Sequence, residues 1–128
     1  MRRQLYAVLV SGGRYYSDRS KVFACMDALR FLYGDIMIIH GAATGADTLS
    51  EDWAKSRQQL YVGFPAEWNK YGKAAGSKRN REMLELSKPN QVVVFQGNRG
   101  TLNMLGLARE AEARGELSVW LPDGEFWK

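Results

Sequence analysis

The stretch QVVVFQGNRGTLNMLGLAREAEA, residues 91–113, decides the fold of this chain. It opens with the apolar run VVVF, typical of a buried strand, and passes through a loop that contains Gly97 and Gly100. Helical periodicity then begins at Thr101, whose hydroxyl we expect to cap the helix. Unpaired N–H groups at a helix start attract phosphate, and Arg99 adds a cation that pairs with phosphate oxygens. Taken alone, the stretch indicates either an anion site or an ordinary tight strand-to-helix turn.

The composition is that of one globular domain over residues 1–128. The chain is 45% hydrophobic and long enough to bury a sizeable core. No apolar run approaches the roughly 20 residues of a membrane span, and no cleavage site follows the run 5–10, so we expect neither a membrane segment nor a signal peptide. The single cysteine, Cys25, allows no internal disulfide and fits a cytoplasmic location. Its place in a helical apolar pattern predicts a core residue rather than a nucleophile.

The charge balance favours small anionic partners. Lys and Arg number 18 against 14 acids, which gives a net charge of +4 and a pI near 9.3. The basic residues are dispersed apart from a cluster at 73–81, so nucleic-acid binding is disfavoured. One histidine and one cysteine cannot form a zinc cluster, and the acids show no metal-ligand spacing. We therefore expect no metal and no cofactor.

Apolar runs alternate with helical patterns along the whole chain. This alternation predicts an α/β domain in three layers, with a mostly parallel sheet and helices on both faces. The five predicted strands are 5–10, 36–39, 60–62, 92–95 and 117–121. The four predicted helices start near Ser17 or Asp18, at Ala46, near Ser77 and at Thr101.

Three glycine loops follow predicted strands and lead into helices. They are Ser11-Gly12-Gly13-Arg14, residues 41–45 and residues 97–100. In a parallel sheet these strand ends lie at one edge, where ligands of such folds bind. The loops therefore predict one pocket for a phosphate-bearing ligand.

Several side chains near this edge have two possible roles each, one in ligand binding or catalysis and one in structure. Arg14 and Arg79 are predicted to pair with phosphate, because each follows a glycine loop or opens a helix. Asp47 either caps its helix or accepts a ribose hydroxyl. His40 either satisfies a loop carbonyl or takes part in catalysis, and Trp68 either anchors a loop or stacks on a base.

Further motifs complete the series along the chain. They are His40-Gly41 through Gly45-Ala46-Asp47, Phe64-Pro65-Ala66 with Trp68, Ala75-Gly76 with Arg79-Asn80 and Met83, and Gly97 through Arg99-Gly100-Thr101 with Met104. In order and spacing this series resembles the YspA/YpsA-related branch of the SLOG superfamily, which also contains DprA and the LOG proteins. The resemblance implies a Rossmann-like fold that binds a nucleotide or nucleotide-derived ligand over its glycine loops.

Two positions depart from the motifs of these relatives. LOG phosphoribohydrolases carry Gly-Gly-x-Gly-Thr-x-x-Glu, and this chain has Met104 where that motif has its glutamate. A methionine cannot transfer a proton, so LOG-type hydrolysis is disfavoured. Asn98 replaces a glycine common in the branch, and asparagine tolerates left-handed backbone. Arg79 matches the arginine of the LOG motif Arg-Lys-x-x-Met, so ligand binding is better supported than catalysis.

These arguments define a set of candidate ligand-binding residues: Ser11, Gly12, Gly13, Arg14, His40, Gly41, Gly45, Asp47, Trp68, Arg79, Asn80, Gly97, Asn98, Arg99, Gly100 and Thr101. The favoured function is a binding module that senses or sequesters a phosphate-bearing nucleotide derivative, such as an ADP-ribose-like molecule or a cyclic nucleotide. One alternative is a nucleotide hydrolase that uses His40, Asp47 or Glu82. The other is single-stranded DNA binding, as in DprA.

Two further expectations concern assembly and Arg79. The resemblance implies a homo-oligomer, a dimer or higher, because related folds pair through helices beside the pocket; light scattering at micromolar concentration tests this. Arg79 is expected to face solvent, so that its replacement by alanine weakens ligand binding without changing stability.

Overall fold

Five parallel strands form one sheet in the computed structural model, which describes residues 4–126. The strands are β1 (Tyr6–Ser11), β2 (Ile36–His40), β3 (Leu60–Gly63), β4 (Gln91–Val94) and β5 (Ser118–Trp120). Their order is β3-β2-β1-β4-β5, and all four pairings are parallel. The chain thus moves outward from β1 to β3 and returns to β4 on the other side of β1. This confirms the predicted Rossmann-like sheet and places the reversal of strand order between β1 and β4, where ligands of such folds bind.

Helices cover both faces of the sheet, as predicted. They are α1 (Arg19–Tyr33), α2 (Ala46–Ser56), the single turn α3 (Trp68–Tyr71), α4 (Ala75–Ser87) and α5 (Arg99–Ala113). One core lies under α1 and α2 and contains the fully buried Trp53 and Phe95. The other lies under α4 and α5 and contains Met83 and Met104. Strand β1 contributes side chains to both cores. Its consecutive residues Val8 and Leu9 lie on opposite faces of the sheet, one in each core, and neither is exposed.

Helix α1 begins where the sequence predicts and ends at a glycine. The Asp18 carboxylate accepts from the Lys21 N–H at 3.1 Å, and Gly34 ends the helix with φ 85°. Cys25 is buried inside the core under this helix. Burial raises the pKa of its thiol to about 11, so the thiol stays protonated at neutral pH and is a poor nucleophile. The prediction of a core cysteine is confirmed.

Two predicted helix starts were wrong. Helix α5 begins at Arg99, and its cap is the side chain of Asn98, which accepts from Gly100 N–H at 3.3 Å; Thr101 lies inside the first turn and is buried. Asparagine caps helices at least as well as threonine, and Asn98 has φ −111°, so no left-handed backbone is needed there. Helix α4 begins at Ala75 instead of near Ser77, because no side chain caps it and its start carries no sequence signal.

A short helical segment that includes Trp68 precedes α4. It consists of α3 and a 3-10 turn (Gly72–Ala74), and neither buries a residue. This segment passes from β3 to α4 along the edge at which the strands end.

The residues after β5 fold back toward the start of α1 and the end of β4. Asp123 accepts from Lys21 Nζ at 2.8 Å, from Gln96 N–H at 2.9 Å and from the Tyr16 hydroxyl at 3.1 Å. Burial alone would raise the pKa of Asp123, but these donors together lower it. Phe126 packs against the core under α4 and α5.

Candidate functional site

The three glycine loops lie at the same edge of the sheet and contact one another through their backbones. Gly13 N–H donates to the Gln96 carbonyl at 2.9 Å, which joins the first loop to the third. Ala46 N–H donates to the Gly13 carbonyl at 3.2 Å, which joins the second loop to the first. The carboxyl ends of β1, β2 and β4 therefore form one connected surface.

Three of the predicted ligand glycines serve these contacts between loops. A Cβ on Gly45 would lie 2.1 Å from the Gly13 carbonyl oxygen, and Gly45 has φ 75°. A Cβ on Gly97 would lie 2.1 Å from Thr101 Oγ1 and 2.6 Å from the Gly13 nitrogen. Only glycine fits such close approaches of backbone to backbone. These positions hold the loops together, and Gly13, Gly45 and Gly97 do not line the main cleft described next.

The main cleft lies between α4 and the first turn of α5 and has a volume of about 710 Å³. Twelve of the sixteen predicted ligand residues line it: Ser11, Gly12, Arg14, Gly41, Asp47, Trp68, Arg79, Asn80, Asn98, Arg99, Gly100 and Thr101. The structure thus brings most of the predicted set together. His40 and the three packing glycines are the members that lie elsewhere.

Positive charge dominates the lining of the main cleft. Arg14, Lys73, Arg79 and Arg99 all line it, against one carboxylate, Asp47. Within residues 4–126, the exposed side chains of Arg14, Lys73 and Arg99 form no ion pair. Cations without protein partners are available to an anionic ligand.

Asp47 is buried and holds the second loop rather than capping its own helix. Its Oδ2 accepts from Gly41 N–H at 2.9 Å and from Ala43 N–H at 3.2 Å. Burial raises the pKa of Asp47, while these two amides and the Arg79 charge oppose the shift. Within residues 4–126 both hydrogen bonds to this carboxylate end on Oδ2, so Oδ1 is the oxygen that Asp47 offers to the cleft.

Arg79 is half-buried, so the expectation of a solvent-facing side chain was wrong. Its Nη1 donates to the carbonyls of Gly41 and Phe64, the latter at 3.2 Å, and its Nε donates to Asn80 Oδ1 at 3.0 Å. Burial lowers the pKa of Arg79, but a guanidinium remains charged at neutral pH. A Cβ on Gly41 would lie 2.5 Å from Nη1, so this glycine makes room for the guanidinium. Arg79 therefore ties α4 to the ends of β2 and β3 while it lines the cleft.

Asn80 connects the two helices that flank the cleft. Its buried side-chain amide donates to the Gly100 carbonyl at 3.1 Å and to Asn103 Oδ1 at 3.0 Å. Its oxygen accepts from Arg79. With donors and acceptor engaged, Asn80 positions the first turn of α5 and the guanidinium of Arg79.

His40 has a structural role in the second loop. Its Nδ1 accepts from Ala42 N–H at 2.9 Å, so that nitrogen carries no proton, and Nε2 donates to Glu51 Oε1 at 2.8 Å. The His40 bond is the largest of the causes that lower the pKa of Glu51. These bonds help to hold Ala42 at φ 58°, a left-handed backbone that costs energy for alanine. The structural reading named a loop carbonyl as the partner of His40, but its partners are the Ala42 amide and the Glu51 carboxylate.

Trp68 is the aromatic side chain in the main cleft. It is 55% exposed, and a Cβ on Gly76 would lie 3.3 Å from its ring, so the indole rests against the start of α4. Sequence reasoning missed Lys73, Ser77 and Asn103 as individual lining residues. The basic cluster at 73–81 was the signal for the first two, whereas nothing distinguishes Asn103 from an ordinary helix residue.

Met104, at the position of the LOG glutamate, lies in the core under α4 and α5 with no exposed surface. We expect Met104→Glu to lower the free energy of unfolding by about 3–5 kcal/mol, because it places an unpaired carboxyl group in an apolar core. The loss should be smaller at pH 5 than at pH 8, since burial raises the folded-state pKa of a glutamate and its stabilising proton is lost as pH rises. Urea denaturation at both pH values measures this. A stable variant that hydrolyses nucleotides would contradict it.

Sequence comparison places the chain in a family. The sequence model of the YspA, cpYpsA-related SLOG family matches residues 6–71, just over half of the chain, so the chain belongs to this family. The resemblance predicted from the motifs is confirmed. The matched segment contains the first two glycine loops and Trp68, while Arg79 and the third loop lie beyond it.

Two individual proteins are similar to this chain. The Gene 61 protein of Mycobacterium phage D29 is 40% identical over 84 residues, a match that covers 60% of this chain and 66% of the phage protein. The crystal structure of DNA processing protein A (DprA) from Streptococcus pneumoniae superimposes with a TM-score of 0.71 over 97% of this chain. The chain spans about half of DprA, 52%, at 18% identity, so this likeness concerns the fold alone.

The described residues contain no helix that combines the length and apolar character needed to cross a bilayer. Within residues 4–126 no group of three or more His, Cys, Asp and Glu side chains is placed to hold a metal ion. The cytoplasmic location and the lack of a cofactor stay predictions.

Proposed function

We propose that this chain binds a phosphate-bearing, nucleotide-derived small molecule and senses or sequesters it without cleaving it. The observation that carries the proposal is the main cleft, which gathers Arg14, Arg79 and Arg99 around the first turn of α5 at the reversal of strand order. Membership of a SLOG family supports a nucleotide-related role.

The end of the cleft at α5 suits phosphate. The first N–H groups of a helix have no partner within it and carry partial positive charge. At α5 only Gly100 N–H is engaged by the cap, through a long bond of 3.3 Å to Asn98, which leaves the Arg99 and Thr101 amides for an anion. Exposed guanidinium groups at Arg14 and Arg99 add charge-assisted donors.

The other end of the cleft suits a nucleoside. Trp68 offers an exposed ring, and aromatic rings stack on bases of any sequence. Asp47 Oδ1 is an acceptor for a sugar hydroxyl, because Oδ2 already holds the second loop. The arrangement therefore matches a base, a sugar and a phosphate in sequence.

The site offers little for cleavage. Asp47 is the one carboxylate among the residues that line the main cleft, and it is engaged in holding a loop. His40 does not line the main cleft, and both of its ring nitrogens are engaged in hydrogen bonds. Glu82 does not line the main cleft either. A hydrolase would need a second acid or base within reach of the bond. This favours binding over the hydrolase alternative.

Calorimetry with AMP, ADP-ribose, its cyclic isomers and 3′,5′-cyclic nucleotides tests the proposal, with chromatography of each mixture to detect products. We expect binding without turnover. Trp68→Ala should weaken the affinity roughly fivefold to a hundredfold through lost stacking. Tyr71→Ala is the matched control, since Tyr71 is an exposed aromatic of the same helix that does not line the cleft. Tighter binding of a single-stranded oligonucleotide than of every small nucleotide would contradict the proposal and favour the DNA-binding alternative.

Self-association stays a prediction. In the described chain the edge strand β3 exposes Leu60, Tyr61 and Val62 at 59%, 43% and 38%. Exposed apolar edge strands invite pairing with another chain. We propose that a second copy covers this edge, and light scattering that shows only monomers at micromolar concentration would count against it.

A further inference from the structure

A second cleft lies on the other side of the contact between the first and third loops. It has a volume of about 480 Å³ and is lined by residues of the first loop, the third loop and the folded-back segment after β5, among them Tyr15, Gln96 and Asp123. Arg14 and Asn98 line both this cleft and the main cleft. The two clefts are therefore neighbours across one ridge, formed by the backbone contact of Gly13 with Gln96.

Each of the two clefts contains an exposed aromatic side chain, and the two clefts share a cationic residue. Trp68 lies in the main cleft, and Tyr15, which is 88% exposed, lies in the second. Between the two aromatic side chains lie Arg14, shared by both clefts, and the first turn of α5 behind Asn98. An aromatic ring, a cationic ridge and a second aromatic ring match a base, a phosphate bridge and a second ring-bearing group.

The position of the ridge in the sheet is consistent with a phosphate bridge at its centre. It lies at the ends of β1 and β4, where the order of the strands reverses. A ligand at this point lies in the crevice beyond the carboxyl ends of the strands, with its charged centre at a helix start. Here the main cleft is lined by α4, α5 and the second loop, and the second cleft is lined by Tyr16 and the residues just before α1.

We propose that the ligand is a dinucleotide-type molecule, with two ring-bearing halves joined through phosphates, that occupies both clefts. One half stacks on Trp68, the phosphates lie on the ridge beneath Arg14 and Asn98, and the other half contacts Tyr15. This inference rests on the proposed function and narrows it, because a compact cyclic mononucleotide fills only the main cleft.

The test compares AMP with NAD+, a dinucleotide whose second half carries an aromatic nicotinamide ring, by calorimetry on the intact chain and on two variants. Tyr15→Ala should weaken NAD+ binding roughly fivefold to a hundredfold and leave AMP within about twofold, since only NAD+ reaches the second cleft. Trp68→Ala should weaken both nucleotides. Phe31→Ala is the control matched in exposure, because Phe31 is 89% exposed on α1 and lines neither cleft.

The outcomes separate this inference from the proposed function. Equal affinity for AMP and NAD+, with no effect of Tyr15→Ala on either, overturns the two-cleft ligand and leaves nucleotide binding in the main cleft standing. Failure of AMP, NAD+ and every nucleotide of the first calorimetry set to bind overturns both proposals. A loss on Tyr15→Ala that is the same for AMP and NAD+ also overturns the two-cleft ligand, because Tyr15 then does not distinguish the second half.

Discussion

Replacing Arg79 by alanine is expected to weaken nucleotide binding roughly tenfold to a hundredfold and to lower the free energy of unfolding by about 1–3 kcal/mol. The binding loss is that of one charge-assisted hydrogen bond, about 1.5–3 kcal/mol. The stability loss arises because Nη1 holds the carbonyls of Gly41 and Phe64, which would be left without this donor. Calorimetry measures the first effect and urea denaturation the second.

Two companion variants separate these effects. Arg81→Ala removes an exposed arginine from the same helix, away from the main cleft, and should change neither quantity. Arg79→Lys should restore part of the stability but little of the binding, because lysine lacks the planar fork of donors. If Arg79→Ala keeps full affinity at a temperature where it remains folded, the guanidinium is a structural tie and not a ligand group.

Replacing Gly45 by alanine is expected to lower the free energy of unfolding by roughly 2–6 kcal/mol. Two costs add at this position. The backbone has φ 75° and ψ −125°, which is costly for any residue with a Cβ, at about 1–3 kcal/mol. The new Cβ would also lie 2.1 Å from the Gly13 carbonyl oxygen, and such crowding costs about 1–3 kcal/mol when backbone must move.

Gly34 provides the control that isolates the backbone cost. It has a similar conformation, φ 85° and ψ −149°, but a Cβ there would meet no atom within 4 Å. Gly34→Ala should therefore lose only about 1–3 kcal/mol in the same urea experiment. Equal losses in the two variants would show that the first loop moves away without cost and that the contact between loops is not rigid.

Sequence reasoning succeeded for the sheet because each strand and each helix carries its own local signal. The apolar run at β4 and the helical spacing of Val22, Met26 and Leu29 need no knowledge of distant residues. Helix starts were less predictable where capping was ambiguous. Asn98 and Thr101 are both good caps, and only packing decides that Thr101 is buried.

The sequence predicted which residues form the candidate site better than it predicted what each of their side chains contacts. Loops that follow parallel strands must share an edge, so the topology alone gathers most of the set. The burial of Arg79 depends on how α4 lies against the ends of β2 and β3, which no local pattern encodes. The glycine pattern is likewise the same whether Gly45 and Gly97 leave room for a ligand or for a neighbouring loop.

The wall of the main cleft that carries Trp68 and Lys73 is held by little buried surface. Neither α3 nor the 3-10 turn after it buries a residue, whereas Val8, Leu9 and Val10 of β1 have no exposure. Regions with few buried contacts open locally long before the whole molecule unfolds. Amide hydrogens of residues 68–74 should thus exchange with solvent far faster than those of β1. A ligand stacked on Trp68 must order this wall, and its measured affinity is reduced by that cost.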